Sequence, residues 1–368
     1  MATTLFGVQV MVRVFVVDDS LFMRRLITGL LEEDPGIKVV GTARDGKEAL
    51  SKLLGDVECD AVTMDVEMPV LNGLETLKQL MASKPLPVLM LSSLTEEGAE
   101  TTLKALDYGA LDFIPKSADK DRLLFGRELR QKVTSLANRK SFITLKFGRR
   151  NRLNASPSLT VKAPVPTAQS FSPTPCRGPR DIVVIGVSTG GPPVVQKIFS
   201  ALPANLPACI LVAQHMPASF TGPFAKRLDN LSAISVSEAT DGAPYKRGHA
   251  YICPGGKHIG IRMRGALPEI AVTTEPRDAL YKPTVNVLMG TAGEHVARRT
   301  LGVMLTGMGS DGIDGARILK DNGGCLIAQS ENSCVVYGMS KAVVDANLAN
   351  EILDADDIAQ AIITTVKG

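Results

Sequence analysis

Short apolar runs that stop at a polar group recur along this chain, and the stretches between them carry helical spacing. At residues 14–19, "VFVVDD", the run ends in two carboxylates. At residues 181–191, "DIVVIGVSTGG", it ends in a glycine, one serine and further small residues. Apolar runs too short for helices, alternating with amphipathic helices, require a parallel sheet covered on both faces. In residues 11–135 the strands are "MVRVFVV", "KVVGTA", "DAVTMD", "LPVLMLS" and "ALDFIPK". Helices are expected over "SLFMRRLITGLLEE", "GKEALSKLL", Gly73–Ala82 and Glu96–Tyr108, and from about Leu123. In residues 181–368 the strands are "DIVVIGV", "ACILVAQH", "HAYICPG", "TLGVMLTG" and "CLIAQ". The helix "PPVVQKIFSAL" follows the first of these, its prolines in a first turn that accepts them. The expected fold is α/β: two doubly wound, mainly parallel-sheet domains joined by a linker.

The linker is read from composition. Residues 136–180 separate the two patterned regions, and residues 139–180 hold six prolines and no Asp or Glu. That favours a connecting segment over a packed core, although "FITLKF" at 142–147 has the pattern of a short strand. Arg149, Arg150 and Arg152 make it basic, yet the net charge of the chain is only +3. With no Trp and five Tyr, stacking platforms for bases are also lacking, so no nucleic-acid partner is expected. The six Cys form no C-x-x-C pair. Cys59, Cys209 and Cys325 lie among apolar or small residues and are expected as buried thiols, with oxidised pairing the less favoured alternative. No segment approaches the roughly 18 apolar residues of a membrane span, and the amino terminus lacks the marks of a signal peptide. The first strand begins at Met11, which is an alternative start to Met1.

Ligand sites in open parallel sheets form beyond the carboxyl ends of the strands. Asp18 and Asp19 follow the first strand, Asp65 the third, Ser92 and Ser93 the fourth, and Lys116 the fifth. Carboxylates brought together repel, and a hard divalent cation such as Mg²⁺ offsets that. Each Asp could equally cap the helix that follows it. The marks "VVDDS", "MDVEMPVLNG", "LSS" and "DFIPK" occur in the order found in receiver domains of two-component response regulators, which residues 12–130 resemble. That resemblance implies that Asp65 accepts a phosphoryl group from the phosphohistidine of a sensor histidine kinase. It implies Mg²⁺ held by Asp19, Asp65 and the backbone carbonyl of Glu67, with Asp18 and Asp19 forming the acidic pocket. It also makes Ser92 the phosphate-sensing hydroxyl, Phe113 the aromatic switch and Lys116 the partner of the phosphoryl group. Ser117 departs from the proline that many receivers carry there.

In the second domain "GVSTGG" lacks the spacing of a dinucleotide fingerprint and the Lys of a phosphate loop. It fits a loose G-x-S-x-G, in which a sharp strand-to-helix turn exposes the serine oxygen; a turn serine with a structural role is the alternative. A nucleophile needs a base and a group that orients the base. His215 ends the strand "ACILVAQ", whereas His249, His258 and His295 lie in turn-like or polar helical contexts. Asp311 follows the strand "LGVML" within "LTGMGSDG". The order Ser188, His215, Asp311 differs from that of the usual α/β-hydrolase.

The marks "IGVSTGG", "AQHMP", "FAKRLD", "YICPGGKH", "LTGMGSDG" and "VVYGM" resemble the catalytic domain of chemotaxis protein-glutamate methylesterases, with "GMS" at 338–340 where "GMP" is frequent. The resemblance implies a serine carboxylic-ester hydrolase that acts, without a cofactor for the hydrolysis, on glutamate γ-methyl esters of methyl-accepting chemotaxis receptors. Deamidation of receptor glutamines is implied as well. Ser188 is then the nucleophile, His215 the base and Asp311 its orienter, with backbone amides at Thr189 and Met308 as oxyanion candidates. The family further implies a receiver that blocks the catalytic face until Asp65 is phosphorylated, and a cytoplasmic monomer that visits membrane-bound receptor arrays. A response regulator whose output domain binds a partner without catalysis is the alternative; a DNA-binding output lacks its recognition helix.

Overall fold

The computed structural model describes residues 11–116, 122–140, 178 and 180–367. Residues 1–10, Ser117, the strand weighed at 142–147 and most of the expected linker lie outside the described residues. The chain divides into two compact units between residues 157 and 158.

The first unit alternates strand and helix throughout: β1 (Val12–Val17), α1 (Leu21–Glu32), β2 (Ile37–Ala43), α2 (Gly46–Leu54), β3 (Ala61–Asp65), α3 (Gly73–Ser83), β4 (Val88–Ser92), α4 (Glu96–Asp107), β5 (Asp112–Pro115) and α5 (Arg122–Ala137). The five strands pair in the order β2-β1-β3-β4-β5, all parallel. Every residue of β3, β4 and β5 is buried, as strands covered on both faces must be. Ser20, Asp45, Asn72 and Thr95 cap α1 to α4, each side chain accepting a backbone N–H from the first turn.

The second unit contains β6 (Ile182–Val187), α6 (Gly191–Ser200), β7 (Cys209–Gln214), α7 (Ala218–Leu231), β8 (Ser235–Glu238), β9 (His249–Ile252), β10 (His258–Arg264) and β11 (Leu267–Thr273). It continues with α8 (Val285–Val296), β12 (Thr300–Met304), α9 (Ile313–Asp321), β13 (Cys325–Gln329), α10 (Met339–Asp345), β14 (Glu351–Leu353) and α11 (Ala355–Lys367). Seven strands form one parallel sheet in the order β14-β13-β12-β6-β7-β9-β8, and β10 and β11 form a separate antiparallel hairpin. The two doubly wound α/β units are those expected from the alternation. The hairpin and the short strands β8 and β14 were not, because their burial is broken by polar residues.

Three further expectations change. Cys325 is disulfide-bonded, not a free thiol, while Cys59, Cys209 and Cys253 are free and buried and Cys334 is buried. His249 and His258 are not turn residues: they open β9 and β10.

Candidate functional site

Both sheets reverse their strand order beside their first strand, at β1/β3 and at β6/β12. A crevice opens at such a switch point, beyond the carboxyl ends of the strands. The two groups of polar residues singled out from the sequence stand at these two places.

In the first unit Asp18 and Asp65 are buried and Asp19 is exposed, with carboxylate oxygens of all three within 4.8 Å of one another. None of the three caps a helix; Ser20 and Asn72 do that work. Lys116 Nζ lies 2.6 Å from Asp18 Oδ2 and 2.6 Å from Asp65 Oδ2. One ammonium cannot neutralise three carboxylates. Burial pushes the Asp65 carboxyl up to about 6, helped by Asp18, despite Lys116 and the Glu67 amide. The cluster therefore fits a hard divalent cation. Arg24, which the sequence did not single out, donates to the carbonyls of Asp18 and Asp19 and holds this loop. Gly73 is required by close approach, since a Cβ there would lie 1.9 Å from the Asp65 carbonyl oxygen. Beside the carboxylates is an open cavity of about 510 Å³ lined by Asp19, Val66, Glu67, Met68, Asn72 and Thr101. Ser92 is fully buried; its hydroxyl accepts from Thr102 at 2.6 Å and donates to the Gly98 carbonyl at 3.2 Å, both on α4. Phe113 is also buried.

In the second unit Ser188 follows β6 in a turn closed by its own amide on Thr306 O at 3.0 Å and by Gly191 N–H on Ser188 O at 2.9 Å. Gly190 has φ 73°, and a Cβ there would lie 2.3 Å from Cβ of Val335, so only glycine fits. Buried Gln214 donates through Nε2 to Ser188 O at 3.0 Å and to His215 O at 3.3 Å, tying the ends of β6 and β7 together. Ser188 Oγ lies 3.0 Å from His215 Nδ1, and His215 Nε2 lies 2.8 Å from Asp311 Oδ2. A turn serine would spend its hydroxyl on nearby backbone; this one meets the imidazole.

Asp311 sits against the amino terminus of α8. It accepts from the Thr284 hydroxyl, from Val285 N at 2.7 Å and from Asn286 N at 3.3 Å, as well as from His215. Burial alone would raise its pKa, but the bond and charge of His215, then Thr284 and Val285, outweigh it and hold the carboxyl below its ordinary value. A carboxylate accepts, so His215 carries its proton on Nε2 and turns the bare Nδ1 toward Ser188. The ring is thus reversed relative to the common triad, in which Nε2 faces the serine. Tyr281 stacks on His215 with ring centroids 4.2 Å apart and planes 9° from parallel. The amides of Thr189 and Met308 make no hydrogen bond among the described residues, which leaves two donors near the serine.

Gln214, Tyr281 and Thr284 were missed in the sequence. Thr284 had a signal, a hydroxyl residue just before the apolar run "VNVLM". Gln214 had one too, as the polar residue that ends the apolar run "ACILVAQ"; Tyr281 had none.

A family model described as CheB methylesterase matches residues 183–362, and one described as response regulator receiver domain matches residues 14–125. A protein-glutamate methylesterase/protein-glutamine glutaminase of Lawsonia intracellularis is 51% identical over 362 residues, covering 97% of this chain and 99% of that one. The protein-glutamate methylesterase/protein-glutamine glutaminase 2 of Nitratidesulfovibrio vulgaris is 53% identical over 377 residues, covering 96% and 99%. The crystal structure of the Thermotoga maritima CheB methylesterase catalytic domain is 40% identical, covers 50% of this chain and 98% of that one, and has a TM-score of 0.49.

Proposed function

The chain belongs to the family of chemotaxis protein-glutamate methylesterases with an amino-terminal receiver, and from that premise we propose that it hydrolyses glutamate γ-methyl esters on methyl-accepting chemotaxis receptors under the control of phosphorylation at Asp65. Receptor glutamines are deamidated at the same site. The observation that carries this is the chain of contacts Ser188 Oγ–His215 Nδ1 at 3.0 Å and His215 Nε2–Asp311 Oδ2 at 2.8 Å.

His215 Nδ1 takes the hydroxyl proton as Ser188 Oγ attacks the ester carbonyl. The imidazolium is stabilised by Asp311, whose cradle of donors keeps it a carboxylate. The free amides of Thr189 and Met308 receive the developing oxyanion. Nδ1–H then protonates the departing methoxide, methanol leaves, and Ser188 is acylated. A water gives its proton to Nδ1, attacks the acyl carbon and releases the glutamate carboxylate while Ser188 regains its proton. With glutamine, ammonia leaves in place of methanol. The hydrolysis uses no cofactor.

At the receiver an oxygen of Asp65 attacks the phosphorus of a kinase phosphohistidine, and the phosphorus–nitrogen bond breaks. Asp19, Asp65 and the carbonyl of Glu67 would hold Mg²⁺, which offsets charge between the carboxylates and the incoming phosphoryl oxygens. Lys116 pairs with the new phosphoryl group. Ser92 senses it by exchanging its bonds to α4 for one to a phosphoryl oxygen, with buried Phe113 as the coupled aromatic. The partners are therefore the receptors and a sensor histidine kinase, met in the cytoplasm and at receptor arrays, and one copy of the chain suffices. No helix among the described residues is long and apolar enough to cross a membrane.

Methanol release from membranes bearing methylated receptors tests the assignment. Ser188→Ala should lower the rate at least about a thousandfold while Asp65 still takes a phosphoryl group. Normal release by the purified variant would leave the triad without a role and favour a non-catalytic output domain.

A further inference from the structure

His258 opens β10 and is wholly buried. Its Nδ1 lies 3.1 Å from the backbone N of Thr284, and its Nε2 lies 3.2 Å from the carbonyl oxygen of Pro276. A backbone amide only donates and a carbonyl only accepts. The ring is therefore neutral, with Nδ1 bare and the proton on Nε2; a cationic ring would set one N–H against another. Burial holds its pKa below the ordinary histidine value, and the charged groups around it are Lys282, Asp311 and Glu275.

These two bonds join the ends of segment 276–284 across one imidazole. Arg277, Asp278 and Leu280 within the segment are exposed, so apolar packing does little to fix it. A further tie runs from Gly256 N–H to the carbonyl of Lys282 at 3.0 Å. Yet the segment supplies Tyr281, which stacks on His215, and Thr284, whose hydroxyl bonds Asp311 Oδ1; Val285, next in the chain, bonds Asp311 Oδ2. A floppy segment could not hold the acid and the base of a triad to the tolerance the chemistry demands.

We infer that His258 is a positioning residue: its neutral imidazole buckles segment 276–284 and thereby fixes the alignment of Thr284, Asp311 and His215 on which the reactivity of Ser188 depends. The inference rests on the assignment of Ser188, His215 and Asp311 as the triad. The bond that matters for alignment is the one to Thr284, because that residue touches Asp311.

Two substitutions in the full chain separate the two bonds. His258→Asn keeps an acceptor where Nδ1 stands and loses the donor to Pro276; His258→Gln does the converse. On methylated receptors His258→Asn should stay within about threefold of the original kcat, whereas His258→Gln and His258→Ala should lose about 10- to 100-fold in kcat with little change in KM. Equal activity of the Asn and Gln variants, at whatever level, would overturn the inference. Nitrogen NMR of the imidazole in the unsubstituted chain tests it without relying on a variant that folds. A bare Nδ1 and a protonated Nε2 at neutral pH are expected; a protonated Nδ1 would overturn it. Ser188→Ala serves as the control. An active Ser188→Ala protein sinks the triad, while an inactive one beside a fully active His258→Gln protein sinks the buckle alone.

Discussion

Asp311 shows how a single residue commits the site to one chemistry. Four donors converge on its carboxylate: the His215 ring, the Thr284 hydroxyl and the amides of Val285 and Asn286. They keep it ionised, so the His215 proton sits on Nε2 and Nδ1 is left bare toward Ser188, as the proposed mechanism needs. Asp311→Asn would remove the charge that steadies the imidazolium and set a carboxamide N–H against one of the donors that converge there; kcat should fall on the order of 10⁴-fold with the fold intact. A loss of less than tenfold would mean that the reversed ring does not need its acid. Asp65 carries a different consequence of burial. Burial raises its pKa from 3.8 to about 6. A carboxyl whose pKa is raised on folding contributes stability that is fully present below about pH 4 and is lost as pH rises through 6, the range in which the folded state alone holds the proton. With a chelator present, the receiver should therefore weaken between pH 4 and 7. Asp65→Asn should remove most of that slope and stabilise the unit at pH 7 by roughly 1–3 kcal/mol. Thermal unfolding at both pH values checks this, and a destabilised Asn variant at pH 7 would show that the Lys116 pair outweighs burial.

Among the elements, the central strands were legible because they are buried on both faces and so read as unbroken apolar runs; "IVVIGV" and "CILVAQ" became β6 and β7. The polar stop at each end then located Ser188, His215, Asp311, Asp18, Asp19, Asp65 and Lys116. Illegible were the parts where burial is interrupted: the β10–β11 hairpin, whose later β10 residues Arg262, Met263 and Arg264 are exposed, and the exposed segment that carries Tyr281. His258 looked like a turn residue because "PGGK" precedes it. The orientation of the His215 ring was also beyond the sequence, since it follows from Asp311, far along the chain, facing Nε2 from its place against the amino terminus of α8. One local oddity belongs to the loop between β3 and α3. Val70 is 80% exposed and adopts φ 67°, a conformation in which a β-branched residue is strained. Val70→Asn should relieve that strain and raise receiver stability by about 1 kcal/mol. An unchanged or lower unfolding temperature would show that the loop is not strained as placed.

For the whole molecule, the same topological device serves two chemistries. Each sheet reverses its strand order once beside its first strand, at β1/β3 and at β6/β12, and each reversal gathers polar residues from strand ends that are distant in sequence. In the function proposed above, one gathering takes a phosphoryl group and the other cleaves an ester. The central claim is that the first controls the second. The most direct test is the initial rate of methanol release from methylated receptor membranes, measured for the full chain and for Asp65→Asn with and without a small phosphodonor and Mg²⁺. The full chain should be accelerated several-fold or more by the phosphodonor, and Asp65→Asn should keep its basal rate and show no acceleration. Equal acceleration of both proteins, or of neither, would contradict control of Ser188 through Asp65.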